Sequence, residues 1–271
     1  MTPDIIYIRS SMLPSWNDCP RRSAAQQYRK EIVNAGYTLR QREPSVGGII
    51  GTAVHAGSTN TLSIKLTTGE YADVSDCIEI GIDSMRIEIA DGAIMDATTA
   101  TKNIAETQTI QMIKSYCIQI APTIIPAIMP EKQRQATILP GVIFTGKSDV
   151  ETVDNAIRDV KGGVKEKMFH GQLGGYSLLK KADTKTATDK LFIDYLPRVS
   201  PKKTYPGAKT IKYNVALCEE ITYYTILQIA KSVSTYRKTG NVYAFPCNPM
   251  SVLCSDKYCQ AFKTNFCEIY K

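Results

Sequence analysis

Histidine and tryptophan are scarce in this chain, with two His and one Trp among 271 residues. A histidine ligand can therefore only be His55 or His170. Long apolar runs are missing as well. The most apolar stretch, Ile110 to Met129, is broken by Lys114, Pro122 and Pro126, which predicts a buried or bent helix and no membrane span. The opening residues carry Asp4 and Arg9 where a secretion signal needs an unbroken apolar stretch, so the chain is expected to stay in the cytoplasm. No internal repeat and no low-complexity tract is present. Without a secretory route the eight cysteines do not read as a disulfide framework, because the cytosol keeps thiols reduced.

What is present suits a folded domain. Hydrophobic residues make up 43% and charged residues 22% of the chain, enough to bury one substantial core; a single domain over 1–271 is expected. A formal charge of +7 favours a polyanionic partner such as nucleic acid, although on 30 kDa the excess is mild. Cys77, Cys117 and Cys218 lie in apolar or helical stretches and read as core thiols. Cys247, Cys254, Cys259 and Cys267 crowd into the last stretch.

Ser10 or Ser11 can cap a helix that carries Leu13, Trp16 and Cys19-Pro20-Arg21-Arg22 toward Tyr28. Gly47, Gly48 and Gly51 open a second helix, Thr52 to about Leu66, with His55 near its first turn. Residues 67–130 read as a helical insertion that Pro122, Pro126 and Pro130 break up near its end. After Pro130 the period changes. Short β-rich segments follow at Gln135 to Leu139, Val142 to Thr145, Val150 to Val153 and Ala156 to Val160, read as a meander of antiparallel strands. A helix from His170 to Lys181, a strand from Lys190 to Leu196 and a helix from Val215 to Lys238 complete an α/β core, ahead of a Cys-rich tail over 240–271.

The chemistry centres on Asp149, Asp159 and Lys161. Two carboxylates on neighbouring strands can converge on one divalent cation, and on a strand Asp159 and Lys161 face the same side. Hard oxygen ligands suit Mg²⁺ or Mn²⁺. A phosphodiester repels hydroxide, and water is a poor nucleophile until a metal lowers its pKa from about 15.7 toward ~7. Lys161 would orient the attacking water or offset charge in the transition state. An isolated Asp-x-Lys is more often a solvated strand edge, and a lone helix-start histidine more often bonds backbone. Gln172 and Tyr176, one turn apart, could equally be helix packing.

The order of these segments resembles the RecB-like branch of the PD-(D/E)xK nuclease superfamily, which includes CRISPR-associated exonucleases and phage relatives. Cys19-Pro20-Arg21-Arg22 is similar to that family's opening helix, and Gly51 to His55 to its Gly-x-x-x-His segment, whose histidine binds metal. Glu131 resembles its acidic residue ahead of the sheet. Gly146 to Asp149 resembles its Gly-x-x-Asp, Asp159-Val160-Lys161 its acidic-x-Lys, and Gln172 with Tyr176 its Gln-x-x-x-Tyr. The resemblance implies a restriction-endonuclease-like fold, a small mixed sheet flanked by helices. It also implies a DNA exonuclease in recombination, repair, replication or phage DNA processing, acting on ends or single strands in a bacterial cell or phage-infected host. His55, Asp149, Asp159 and Val160 would hold Mg²⁺ or Mn²⁺, with Asp149, Asp159, Lys161, Gln172 and Tyr176 catalytic. A helicase or recombination protein is the implied partner.

In iron-sulfur members of this branch one cysteine of the opening helix joins three at the C-terminus around a 4Fe-4S cluster. Here Cys19, Cys254, Cys259 and Cys267 supply the parts, spaced Cys-x4-Cys-x7-Cys in the tail where Cys-x2-Cys-x5-Cys is usual, with Cys247 as a spare. The tail would then pack on the N-terminal helix. Thiolates suit zinc too, and unligated thiols stay open. Arg21, Arg22, Arg29, Lys30, Lys165, Lys167, Lys180, Lys181, Lys202 and Lys203 are candidates for a phosphate track, and Tyr7, Trp16 and Tyr205 for base stacking, with core packing the alternative for Trp16. Two other readings stand beside the nuclease: a non-cleaving DNA-binding module on the same fold, and a thiolate-metal interaction protein.

Overall fold

The computed structural model describes residues 5–90 and 92–268. Its first strand, β1 (Ile6–Arg9), alternates buried and exposed side chains and precedes a 3-10 turn at Ser10–Met12. The helix expected from Ser10 toward Tyr28 is two short ones, α1 (Leu13–Asp18) and α2 (Pro20–Gln27), and a third, α3 (Arg29–Asn34), follows. The first break has a local cause. Cys19 precedes a proline, and the ring of Pro20 drives it out of helical space to φ −155°.

Helix α4 (Val46–Thr68) starts earlier than expected, because the side chain of Ser45 accepts the N–H of Gly48 and caps the helix ahead of Thr52. His55 accordingly lies in the third turn rather than the first. Helices α5 (Val74–Ala90) and α6 (Lys102–Ser115) pack against α4 around Ala53, Cys77, Met85 and Ile113. The apolar stretch after α6 is bent, as expected, into a π-turn at Tyr116–Ile120 and a 3-10 turn at Ala121–Thr123. Among the described residues no helix is long and apolar enough to cross a membrane.

The fold is mixed α/β, with helices flanking small mixed sheets, but there are two sheets and not one meander. Strand β2 (Lys132–Leu139) pairs antiparallel with β3 (Val142–Ser148), and β1 lies parallel on the other side of β3. The second sheet runs β4 (Val150–Glu151), β5 (Ala156–Gly163), β6 (Lys190–Pro197) and β7 (Lys209–Tyr213), with β5 and β6 parallel. The chain changes sheet at Asp149. The crossover from β5 to β6 is α7 (His170–Thr184), and it covers Ile157 and Ile193 on one face of the second sheet while Val160 packs into the helical layer on the other. Burial on both faces explains the unbroken buried run of β5.

Close packing fixes α7. A Cβ on Gly174 would stand 2.0 Å from the carbonyl oxygen of Cys218 on α8 (Val215–Thr239), so only glycine lets these helices approach. The two sheets are tied beneath their junction by the buried Arg134–Glu151 ion pair, and Ser148 donates to Glu151 at 3.1 Å. The tail lies on the first helices: Arg21 donates to the carbonyls of Phe245 at 2.9 Å and Val242 at 3.1 Å, and Trp16 meets Phe245 edge-on.

Candidate active site

Asp149 occupies the bend where the chain leaves β3 for β4. Its Oδ2 accepts the backbone N–H of Val160 at 2.6 Å and lies 3.2 Å from Nδ1 of His55. Asp159 and Lys161 stand on one face of β5, and the Lys161 ammonium pairs with Asp159 Oδ2. Val160 turns the other way into the core. Its observed contribution to the site is thus its N–H, which holds the Asp149 carboxylate toward Asp159.

One cleft of about 660 Å³ gathers His55, Asp149, Asp159, Lys161, Gln172 and Tyr176. Gln172 donates to the Tyr176 hydroxyl at 2.6 Å, one turn along α7, and Ser10 also reaches that hydroxyl. Glu131 sits at the rim with a positive φ of 60°, a conformation that costs a non-glycine residue roughly 1–2 kcal/mol. It is held there from two sides: its N–H bonds the Asp149 carbonyl at 2.9 Å, and its carboxylate pairs with Lys147 at 2.9 Å. The sequence did not single out Arg9, Gln133 or Thr145, which also line the cleft. The alternation of Ile6-Tyr7-Ile8-Arg9 was the available signal for Arg9.

The electrostatics are those of crowded carboxylates. Burial, and then the charge of Asp159, push the Asp149 carboxyl up to about 6, against the pull of His55, Lys161 and the Val160 N–H. Burial alone would lower the Lys161 ammonium, but Asp159 and Asp149 outweigh it and its pKa is raised. Burial holds the Tyr176 phenol well above its ordinary range, so it stays a neutral hydroxyl.

Among the described residues no three His, Cys, Asp or Glu side chains are drawn together at metal-ligand spacing. His55 instead turns to Asp149, and Lys161 to Asp159. The donor set nevertheless fits a hard divalent cation. Asp159 is fully buried, its Oδ1 has no hydrogen-bond partner among the described residues, and a second carboxylate is pressed toward it at an electrostatic cost.

A second hollow brings Cys19 together with Cys254, Cys259 and Cys267, and Cys247 lines it as well. Cys19 comes from the break between α1 and α2, and its Sγ accepts the N–H of Asn248 at 3.4 Å. Burial is the main reason the Cys259 thiol is pushed up to about 11; the Ala261 N–H opposes it, and Cys19, Cys267 and Cys254 add to it. A thiol raised in this way is protonated at neutral pH, and a cation at the sulfur would favour its thiolate. Cys77, Cys117 and Cys218 are buried elsewhere, in the core.

Several basic candidates are not a phosphate track. Arg21 and Arg22 are 3% and 9% exposed and are used up in fastening the tail, with Arg22 on Asp18 and Ser251. Lys180 is buried against Asn155 at 2.6 Å. Arg29 binds the carbonyls of Leu39 and Arg40. Trp16 belongs to the core at 2% exposure.

No family profile matches the chain, and no curated protein matches its sequence. Its fold, however, is shared. A solved structure from Eubacterium rectale, described as a candidate exonuclease, superposes with a TM-score of 0.61 at 12% identity, over 92% of this chain and 86% of that one. The LHK-Exo structure in complex with dAMP matches with a TM-score of 0.32 at 12% identity, over 69% of this chain and 96% of that one. The chain is thus a mixed α/β protein with the fold of the Eubacterium rectale chain, and its candidate site lies where its two sheets meet.

Proposed function

We propose that this chain is a metal-dependent deoxyribonuclease of the PD-(D/E)xK type, RecB-like, that hydrolyses phosphodiester bonds from DNA ends. The observation that carries the reading is the buried, unbonded Oδ1 of Asp159 beside Asp149, with His55 and the Lys161 ammonium at the same point of the cleft. Asp149 and Asp159 with His55 would hold Mg²⁺ or Mn²⁺, which when bound supplies Lewis acidity and a lowered water pKa.

The chain's own groups do the rest. Lys161 keeps its proton, so its ammonium is available to orient an attacking water or offset charge growing on the phosphate. The Val160 N–H fixes one oxygen of Asp149. Tyr176, held by Gln172, presents a neutral hydroxyl to the cleft, suited to a phosphate oxygen. Low exposure of Lys161 and Asp159 restricts water around the reacting group, where charges act more strongly than in bulk.

Cys19, Cys254, Cys259 and Cys267 are proposed to hold a 4Fe-4S cluster, with zinc as the alternative. Its part would be structural, closing the tail onto α2 away from the carboxylates.

The test is cleavage of end-labelled linear and closed circular DNA with Mn²⁺, using wild type and Lys161→Ala. Wild type should degrade linear DNA and spare circles, and the variant should be inert while still folded. Intact substrates with both proteins reject the nuclease in favour of a non-cleaving binding module.

A further inference from the structure

The cleft does not end at its carboxylates, because the first sheet carries one of its faces out into solvent. On that face Arg9 stands opposite Thr145, which stands opposite Gln135, and Lys147 stands opposite Gln133. One step further out, Tyr7 is opposite Ile143. Arg9, Gln133, Thr145 and Lys147 line the cleft itself, so the surface is continuous with it. The opposite face of the same strands is the buried one, with Ile6, Ile8, Val142 and Phe144 in the core.

The strands themselves give this outer face charge of one sign. The register puts two cations, amides and hydroxyls on it beside Ile143, and a carboxylate, that of Glu131, reaches it at Lys147. Lys147 shares its charge with Glu131 at the rim, while Arg9 makes no ion pair among the described residues. The one aromatic ring on this face, Tyr7, is 54% exposed, and it borders a hollow that Lys30, Tyr28 and the Glu31–Arg237 pair also line. Its backbone is fixed independently of the ring, since Tyr28 donates to the Tyr7 carbonyl at 3.0 Å and Arg237 to that of Ile5 at 3.1 Å. Tyr7 and Arg9, two residues apart on an extended strand, stand about 7 Å from one another along it.

We infer that the outer face of this sheet is a track for one strand of DNA, with Arg9 on a phosphate next to the cleft and Tyr7 as the stacking platform for a base beyond it. The assignment rests on the nuclease reading for its substrate class. It commits to a single strand because stacking on Tyr7 needs an unpaired base face.

The test is fluorescence anisotropy of a labelled oligothymidylate with the full chain, in EDTA so that nothing is cut, across a range of salt. Tyr7→Ala should weaken binding roughly ten-fold or more and Tyr7→Trp should keep it, as stacking demands. Arg9→Gln should lower the salt slope by about 0.7, one phosphate's share on a single strand, whereas Tyr7→Ala should leave the slope alone. Thermal melting confirms that each variant is folded. The track is overturned if Tyr7→Ala binds as wild type, if wild type binds no oligothymidylate, or if duplex of equal length displaces the label equally well. With no divalent ion present the result is independent of cleavage. A protein that never cuts yet shows the Tyr7 pattern loses the nuclease reading and keeps the track, and an active protein indifferent to Tyr7 does the reverse.

Discussion

Nδ1 of His55 and Oδ2 of Asp149 lie 3.2 Å apart, joining the third turn of α4 to the bend at which the chain changes sheet. This contact does not fully compensate the aspartate, whose carboxyl stays pushed up to about 6 by burial and by Asp159. A carboxyl raised above its ordinary 3.8 costs stability as pH rises. Between the two values the unfolded chain has released its proton and the folded one has not, so stability falls across that window and levels off above it. Two to three pH units correspond to roughly 3 kcal/mol. In EDTA, Asp149→Asn should therefore be more stable than wild type at pH 8 by about that amount, less the altered Val160 hydrogen bond, with the gap closing below pH 4. Urea unfolding of both proteins across this range measures it, and an equal gap at pH 3.5 and pH 8 would refute the assignment.

Divalent ions should reverse the penalty. An ion that binds the folded state and not the unfolded one raises stability by about 2.7 kcal/mol at a hundred times its dissociation constant. Mn²⁺ or Mg²⁺ should thus raise the melting temperature of wild type and leave Asp159→Asn unmoved. His55→Ala should shift the half-saturating Mn²⁺ concentration upward by at least ten-fold, on the order of the loss of one ligand contact. Calorimetric scans at increasing Mn²⁺ read both effects, and a melting temperature indifferent to the ion would remove the metal from the site.

How much of this was legible depends on how local each feature is. Helices α7 and α8 were, because each is long enough for its apolar spacing to show a helical period. Strands β1 and β7 were not: Ile6–Arg9 and Lys209–Tyr213 are short, and each is a strand only because a partner, β3 or β6, offers it a ladder. The division into two sheets was hidden for the same reason, since β3 and β4 read as consecutive strands and the bend at Asp149 separates them. In the cleft, His55, Asp149, Asp159, Lys161, Gln172 and Tyr176 share one space, while the side chain of Val160, named with them, faces the core. What could not be read were the contacts made across the sequence: the Val160 N–H on Asp149, the Lys147–Glu131 pair, and the burial of Arg21, Arg22 and Lys180 that removes them from any basic surface.

Two glycines separate packing from propensity. A Cβ at Gly51 meets nothing within 4 Å, and the residue is interior to α4, so Gly51→Ala should raise stability by about 0.5–1 kcal/mol. At Gly174 the same atom would lie 2.0 Å from the Cys218 carbonyl oxygen and 2.4 Å from Thr222 Oγ1. The helices must separate to admit it, and Gly174→Ala should lose 1–3 kcal/mol or more, at about the level of an overpacked core. Denaturant midpoints of the two variants should move in opposite directions.

The cysteine hollow makes the last prediction, and it is one of colour. With Cys259 held up to about 11 by burial and by the thiols facing it, this thiol stays protonated at neutral pH unless a cation sits at its sulfur. An iron-sulfur cluster would give a brown protein with stoichiometric iron and sulfide; zinc would give a colourless one. Cys259→Ser should bleach the brown form. Because Arg21 clasps the carbonyls of Val242 and Phe245 and Asn248 bonds the Asp18 carbonyl at 2.9 Å, the tail keeps some grip on the first helices without any metal. Loss of the metal should therefore open the tail to limited proteolysis after the grip of Arg21, near residues 250–268, while the carboxylate cleft stays folded. Mass spectrometry of the first cuts in wild type and Cys259→Ser locates the change. A protein purified anaerobically that carries neither iron nor zinc, with the same cleavage pattern in both forms, would leave these thiols a packing role alone.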